Sequence, residues 1–392
     1  MMMFQVKRKL TNGWTLIFAA AQVIRKLKKR YMLFFLMLLR GRIIMDTIYD
    51  ILSSLDRHQS KKAVLATIIH VYGSSYRKEG TSMVIFEDST YTGVLTAGCL
   101  EADLIERSKT LLKQKQAFQL YTYDLRSEND LSWGRGAGCN GRIQIILEPI
   151  DQLFQEQLFT LYDHLRNGRP VLSIRKLSLD YSKIERTFIP YEYEERTKRW
   201  FGQQIDGADD FLCAPKPYKK YSGLRKKNKD DLEFQQLYWP QPNLYIIGAG
   251  VDAKPLADTA SRTGFQVHII DWRPALCNKE YFPSVSHFHI RSFDQGFQDI
   301  GMTPLDSVMV MTHQFEQDKE ALRDLRHRDL FYLGVLGPKK RTTRLLEGER
   351  PAGNLDSPAG LDIAAEGPNE IAISILAKVI GRMRKEGEQP HA

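Results

Sequence analysis

The stretch that most constrains this chain is Leu244-Tyr245-Ile246-Ile247-Gly248-Ala249-Gly250-Val251-Asp252-Ala253, in which four apolar residues run into a GxGxxA turn. A strand that breaks on such a turn and continues as a helix opens a dinucleotide-type sheet. Gly248 permits the tight turn, Gly250 lets backbone approach a pyrophosphate, and Ala253 allows close packing of helix on strand. Pro255 falls in the first helical turn, where a missing N–H costs nothing, and Gly264 supplies a left-handed cap. Asp271 follows at the end of the second strand, near the place where an acid bonds a ribose hydroxyl. Further apolar runs at Phe265–Ile270, Ser307–Met311 and Phe331–Val335 alternate with helix-length spacers. That order predicts a doubly wound, Rossmann-like parallel sheet over residues 243–392, the second half of an α/β protein.

Ligands of open parallel sheets sit outside the carboxyl ends of the strands, so residues at other strand ends converge on the same crevice. Thr312 and His313 follow one strand, and Gly337-Pro338 leads from another into Lys339, Lys340 and Arg341. A glycine turn followed by three cations suits a phosphate. A solvated basic helix start is the alternative, and a backbone-bonding role for His313 is nearly as well supported.

The first half reads differently. A helix over Thr47–Arg57, strands at Ala63–Ile69, Ser82–Phe86 and Tyr91–Leu95, a helix from Leu100 to Gln114 and a strand at Arg142–Leu147 make an α+β domain over residues 45–177. Residues 178–242 are charged, aromatic and poorly periodic, which predicts a connecting hairpin and linker. Two glycine-flanked cysteines stand out. Gly98-Cys99-Leu100-Glu101 sits where a strand turns into a helix, a setting that favours thiolate. Gly138-Cys139-Asn140-Gly141 directly precedes a strand and leaves its sulfur open to a bulky ligand. A buried, inert cysteine beside tight-turn glycines is the alternative for each.

The net charge of +9 invites a nucleic-acid partner, yet ten Lys and Arg lie in residues 1–44, which hold no acid. The rest of the chain is near neutral and lacks the broad positive field that such binding needs. Within that segment the apolar run Tyr31–Leu39 is too short to span a bilayer, and Arg40-Gly41-Arg42 follows it in place of a cleavage site. Residues 1–44 are therefore expected to be a disordered or spurious extension, dispensable for folding, with a peripheral membrane anchor as the alternative and no stable membrane association. Four cysteines without a CxxC pair argue against a disulfide framework or a structural zinc site, and for the cytoplasm.

Taken together, the ordered blocks resemble the XdhC/CoxI family of xanthine dehydrogenase accessory proteins. They include Tyr72-Gly73-Ser74-Ser75-Tyr76-Arg77-Lys78-Glu79-Gly80, Ala97-Gly98-Cys99-Leu100-Glu101, Gly138-Cys139-Asn140-Gly141, Ile247-Gly248-Ala249-Gly250, Asp271-Trp272-Arg273-Pro274, Met311-Thr312-His313 and Leu336-Gly337-Pro338-Lys339-Lys340-Arg341. The resemblance implies a maturation chaperone without catalytic residues of its own. It would bind molybdenum cofactor, as molybdopterin or its dinucleotide form, protect it, support its sulfuration and insert it into a molybdenum hydroxylase apo-enzyme. A cysteine desulfurase is a further implied partner, and a homodimer the implied assembly. A soft thiolate suits a molybdenum–sulfur centre, which singles out Cys99 as the metal or sulfur contact. The rival reading is an NAD(P)-dependent oxidoreductase using the same fingerprint, because fold alone does not choose between them.

Overall fold

The computed structural model describes residues 47–96, 98, 100–114, 116–125, 141–180, 182–191, 200–203, 217–218, 221–226, 231–349 and 353–386. Thr47 caps helix α1 (Ile48–Arg57) through a reciprocal capping box with Asp50. Strands β1 (Ala63–Gly73), β2 (Ser82–Phe86), β3 (Tyr91–Thr92), β4 (Gln119–Asp124) and β5 (Gly141–Pro149) form an antiparallel sheet ordered β3-β2-β1-β5-β4. Helix α2 (Glu101–Gln114) lies on one face, against Val64, Ala66 and Ile68. The other face meets α1 and α3 (Gln152–Arg166) through Ala63 and Leu65. Because both faces of β1 are covered, its sequence is an almost unbroken apolar run.

A second antiparallel sheet follows, ordered β8-β7-β6-β10-β9, from β6 (Val171–Ser178), β7 (Ile184–Pro190), β8 (Phe201–Gly202), β9 (Ser222–Lys226) and β10 (Asp231–Tyr238). The stretch expected to be hairpin and linker thus supplies four of these strands. Its regularity is hidden because the buried positions are polar as often as apolar: Glu233, Gln235 and Gln236 are buried on β10, and Arg175 and Arg186 on β6 and β7. Glu148 of β5 holds both guanidinium groups, Arg175 at 2.7 Å and Arg186 at 3.0 Å, which ties the second sheet to the first.

The C-terminal sheet is parallel, as the sequence predicts. Strands β11 (Asn243–Ile247), β12 (Gln266–Asp271), β13 (His287–Ile290), β14 (Ser307–Val310), β15 (Tyr332–Val335) and β16 (Leu355–Asp356) lie in the order β13-β12-β11-β14-β15-β16. This is the 3-2-1-4-5-6 order of dinucleotide-binding folds, with its switch point between β11 and β14. Helices α4 (Ala253–Arg262) and α7 (Gly367–Glu386) cover the face that carries Leu244 and Ile246. Helices α5 (Phe315–Leu325) and α6 (Lys339–Leu345) cover the face that carries Tyr245 and Ile247. Among the described residues no helix is long and apolar enough to cross a membrane.

At the edge of this sheet the rings of His268, His287 and His289 stack beside Tyr245. Burial, reinforced by the two neighbouring imidazoles, holds the His268 pKa down to about 3, and burial lowers His287 and His289 as well. A depressed histidine pKa means that the unfolded chain takes up the proton first. The stack's contribution is therefore complete above a pH of about 6.5 and is lost as pH falls toward the folded value, with a slope of about 1.4 kcal/mol per pH unit for one such group. Urea midpoints measured from pH 7 down to 5 are expected to fall less steeply for His268→Phe than for the parent; parallel curves would show that the stack does not carry the acid sensitivity.

Candidate functional site

The crevice at the β11/β14 switch point is built by the glycine turn. Gly248 has φ +112, and a Cβ there would lie 2.8 Å from both the Met311 carbonyl oxygen and Thr312 Cα. Only glycine lets the two strand ends approach so closely. Beside it a cavity of about 470 Å³ opens, walled by Leu256, Met311, Leu336, Ile371 and Ile375 and edged by Gly250, Val251, Asp252 and His313. That volume and apolar lining are those of a small-molecule site.

Asp271 does not face this cavity as a free acceptor. Its carboxylate is fully buried and accepts from the Ala249 amide at 2.6 Å, the Arg273 amide at 2.9 Å, Arg273 Nε at 2.9 Å and Arg273 Nη2 at 2.8 Å. Burial alone would raise its pKa, but the Arg273 and Ala249 donors outweigh that and hold it below the ordinary carboxylate range. Four donors use the four acceptor positions of a carboxylate, so Asp271 braces the glycine turn and has no lone pair left for a ribose hydroxyl.

Thr312 and Arg341 form a second brace. Asp318 is buried, accepts from the Thr312 amide at 3.1 Å and its hydroxyl at 2.6 Å, and pairs with Arg341 Nη2 at 2.6 Å. A buried carboxylate requires such a counter-charge, which draws Arg341 inward from the cationic turn. Lys339 and Lys340 remain exposed beyond Gly337. Of the polar residues after the strands, His313 reaches the cavity, in a left-handed backbone conformation of φ +61 with its Nε2 on the Asp252 carboxylate.

In the N-terminal domain, Glu101 is buried and turned inward. Its carboxylate accepts from the amides of Leu95, Thr96 and Leu100 and from the Thr96 hydroxyl, at 2.8–3.2 Å. It therefore shapes the loop that contains exposed Gly98 instead of meeting a ligand. Cys99, Gly138, Cys139 and Asn140 lie outside the described residues. The structure thus gathers Gly248, Gly250 and His313 at one crevice, places Thr312, Arg341 and Asp271 in its supports, and leaves Gly98 and Glu101 in the other domain.

Four contributors carry no clear signal in the sequence. Asp252 looks like an ordinary position before a helix, Asp318 like a surface acid on a helix, and Ile371 with Ile375 like core residues at helical spacing. The short step from Gly250 to Asp252 is the one available pointer.

Among known proteins, the XdhC Rossmann domain profile matches residues 244–379, and the profile of the XdhC and CoxI family matches residues 57–124. The chain is 37% identical over 322 residues to a Bacillus subtilis (strain 168) protein described as a probable xanthine dehydrogenase subunit, covering 82% of this chain and 93% of that protein. It is 21% identical over 334 residues to the molybdenum cofactor insertion chaperone PaoD of Escherichia coli (strain K12), covering 81% of this chain and 83% of the chaperone. The crystal structure of a xanthine dehydrogenase from Bacillus halodurans superposes with a TM-score of 0.74 at 39% identity, covering 86% of this chain and 96% of that one.

Proposed function

Because this chain belongs to the XdhC and CoxI family, we propose that it is an accessory protein that holds molybdenum cofactor and delivers it to a xanthine-dehydrogenase-like molybdenum hydroxylase. Similarity to an insertion chaperone supports the delivery role. The observation that carries the holding role is the cavity at the switch point: about 470 Å³, with aliphatic walls that suit a flat pterin. When bound, the cofactor would supply the molybdenum and sulfur chemistry of the recipient enzyme. The residues of this chain orient it and exclude water. Leu256, Met311, Leu336, Ile371 and Ile375 form the dry walls, and Lys339 and Lys340 offer charge to a phosphate at the end of the cationic turn. The buried, fully engaged Asp271 counts against an NAD reading, in which that acid bonds the ribose hydroxyl.

Support of sulfuration, with a cysteine desulfurase as donor, a cytoplasmic setting and pairing with a second copy are further parts of the proposal. Cys99, two residues before Glu101 in the sequence, is the proposed thiolate that meets the molybdenum–sulfur centre. Cys277 is the internal control, since it is buried and burial pushes its thiol pKa up. Under anaerobic conditions Cys99→Ala is expected to lose about tenfold or more in molybdenum retained per chain and in activation of a cofactor-free hydroxylase, with Cys277→Ala unchanged. Equal retention and activation by Cys99→Ala, Cys139→Ala and Cys277→Ala would show that the cysteines play no part in holding the cofactor.

A further inference from the structure

Among the described residues lining the switch-point cavity, only Asp252 and His313 carry polar side chains. They come from different elements, the start of α4 and the loop after β14, and meet through His313 Nε2 and Asp252 Oδ2. Gly250 makes room for this pair: a Cβ there would lie 2.5 Å from Asp252 Oδ1 and 4.0 Å from His313 Cδ2. The carboxylate therefore occupies the space over Gly250 through which a pyrophosphate would approach the turn, and its charge repels one. His313 is held opposite it in a backbone conformation that non-glycine residues rarely adopt, as is common where a side chain must be presented to a ligand. Asp252 makes no capping bond to its own helix, and its Oδ1 receives no hydrogen bond among the described residues. A ligand that fills the cavity and covers this oxygen must bring N–H or O–H donors.

We propose that the cavity recognises the 2-amino-4-oxopyrimidine edge of a fused heterocycle, the ring edge shared by pterins and guanine, with the Asp252 carboxylate as bidentate acceptor and His313 as a positioning residue. That edge presents two adjacent N–H donors, which match the two oxygens of a carboxylate. The His313 Nε2–H fixes the carboxylate's orientation while leaving Oδ1 and one lone pair of Oδ2 for the ligand. The aliphatic walls take the faces of the ring. For a pterin source this assignment rests on the cofactor-holding role proposed above. It also reverses the polarity expected of a GxGxxA turn: the ring, not the phosphate, sits over Gly250.

Fluorescence titration of the full chain with 6-hydroxymethylpterin and 6-hydroxymethyllumazine, which carries an oxo group in place of the 2-amino group, tests the edge directly. Pterin is expected to bind about tenfold or more tightly than lumazine, and Asp252→Asn to lose that discrimination while its thermal melt stays that of the parent. His313→Leu should weaken pterin binding, and His313→Gln, which keeps an N–H donor, should restore it. Competition by GMP but not AMP, dependent on Asp252, would assign the source to a guanine nucleotide; competition by neither would assign it to a pterin. Equal binding of pterin and lumazine by the parent, equal pterin binding by Asp252→Asn, or no binding of either would overturn the assignment. Molybdenum retained by the parent chain is measured in parallel. Retention without Asp252 dependence sinks this subsite and leaves the accessory role standing, whereas Asp252-dependent binding without molybdenum retention does the reverse.

Discussion

Glu148→Ala is expected to destabilise the protein by about 3–5 kcal/mol, because removing one partner of a buried ionic cluster leaves uncompensated charge in the interior. Glu148 is fully buried, and Arg175 nearly so. Arg175 also donates to the Tyr238 hydroxyl at 3.0 Å, and the Arg186 guanidinium lies 3.9 Å from the Phe154 ring centroid. The cluster spans β5, β6, β7 and β10, so it bridges both antiparallel sheets. With alanine at 148, two guanidinium groups face each other without a carboxylate, and the loss is a large fraction of the roughly 5–15 kcal/mol that holds a domain folded. Urea denaturation measures it. By contrast, the exposed Lys61–Asp88 pair should contribute little, since such pairs are solvated and screened. A loss under about 1 kcal/mol for Glu148→Ala would mean that apolar contacts alone join the sheets.

Gly248→Ala is the second large effect. At φ +112 an alanine is strained in itself, and its Cβ would press on the main chain of Met311 and Thr312, which cannot rotate away. Relief requires β14 to move away from β11, in whose register Ile247 faces Val310. About 2–4 kcal/mol of destabilisation is expected, together with loss of ligand binding, because Met311 and His313 ride on the displaced segment. Gly250→Ala separates the two outcomes. Its Cβ would crowd the movable Asp252 carboxylate and reach ordinary contact with His313 Cδ2, both side chains and not main chain, so the fold should survive while the cavity is disturbed. Thermal melts and pterin titrations of the two variants check this. A Gly248→Ala protein that melts and binds like the parent would show that the turn tolerates a side chain.

The contrast between the two halves of the chain shows what is legible in such a sequence. Four of the six parallel strands are readable because each is a short apolar run bounded by glycine or a polar turn, as in Leu244–Ile247 followed by Gly248, whereas β13 with its two histidines and the two-residue β16 carry no such run. The second antiparallel sheet is not readable, because β10 buries Glu233, Gln235 and Gln236 alongside Phe234, and polar burial leaves no period to detect. At the site, Gly248 and Gly250 are identifiable from the requirements of a tight turn. The fate of Asp271 depends on Arg273, two residues away, folding back onto it. Spacing alone cannot report that. The Asp252–His313 pair joins residues 61 positions apart, and no local pattern links them.

Whether this chain holds molybdenum cofactor is tested most directly by anaerobic purification of the full chain from a molybdate-fed host, with molybdenum and oxidised pterin quantified per chain. Both are expected in near-equal amounts, carried by the folded chain and transferable to a cofactor-free hydroxylase. Folded chain that carries neither, or that carries a nicotinamide nucleotide instead, would contradict the cofactor-holding role.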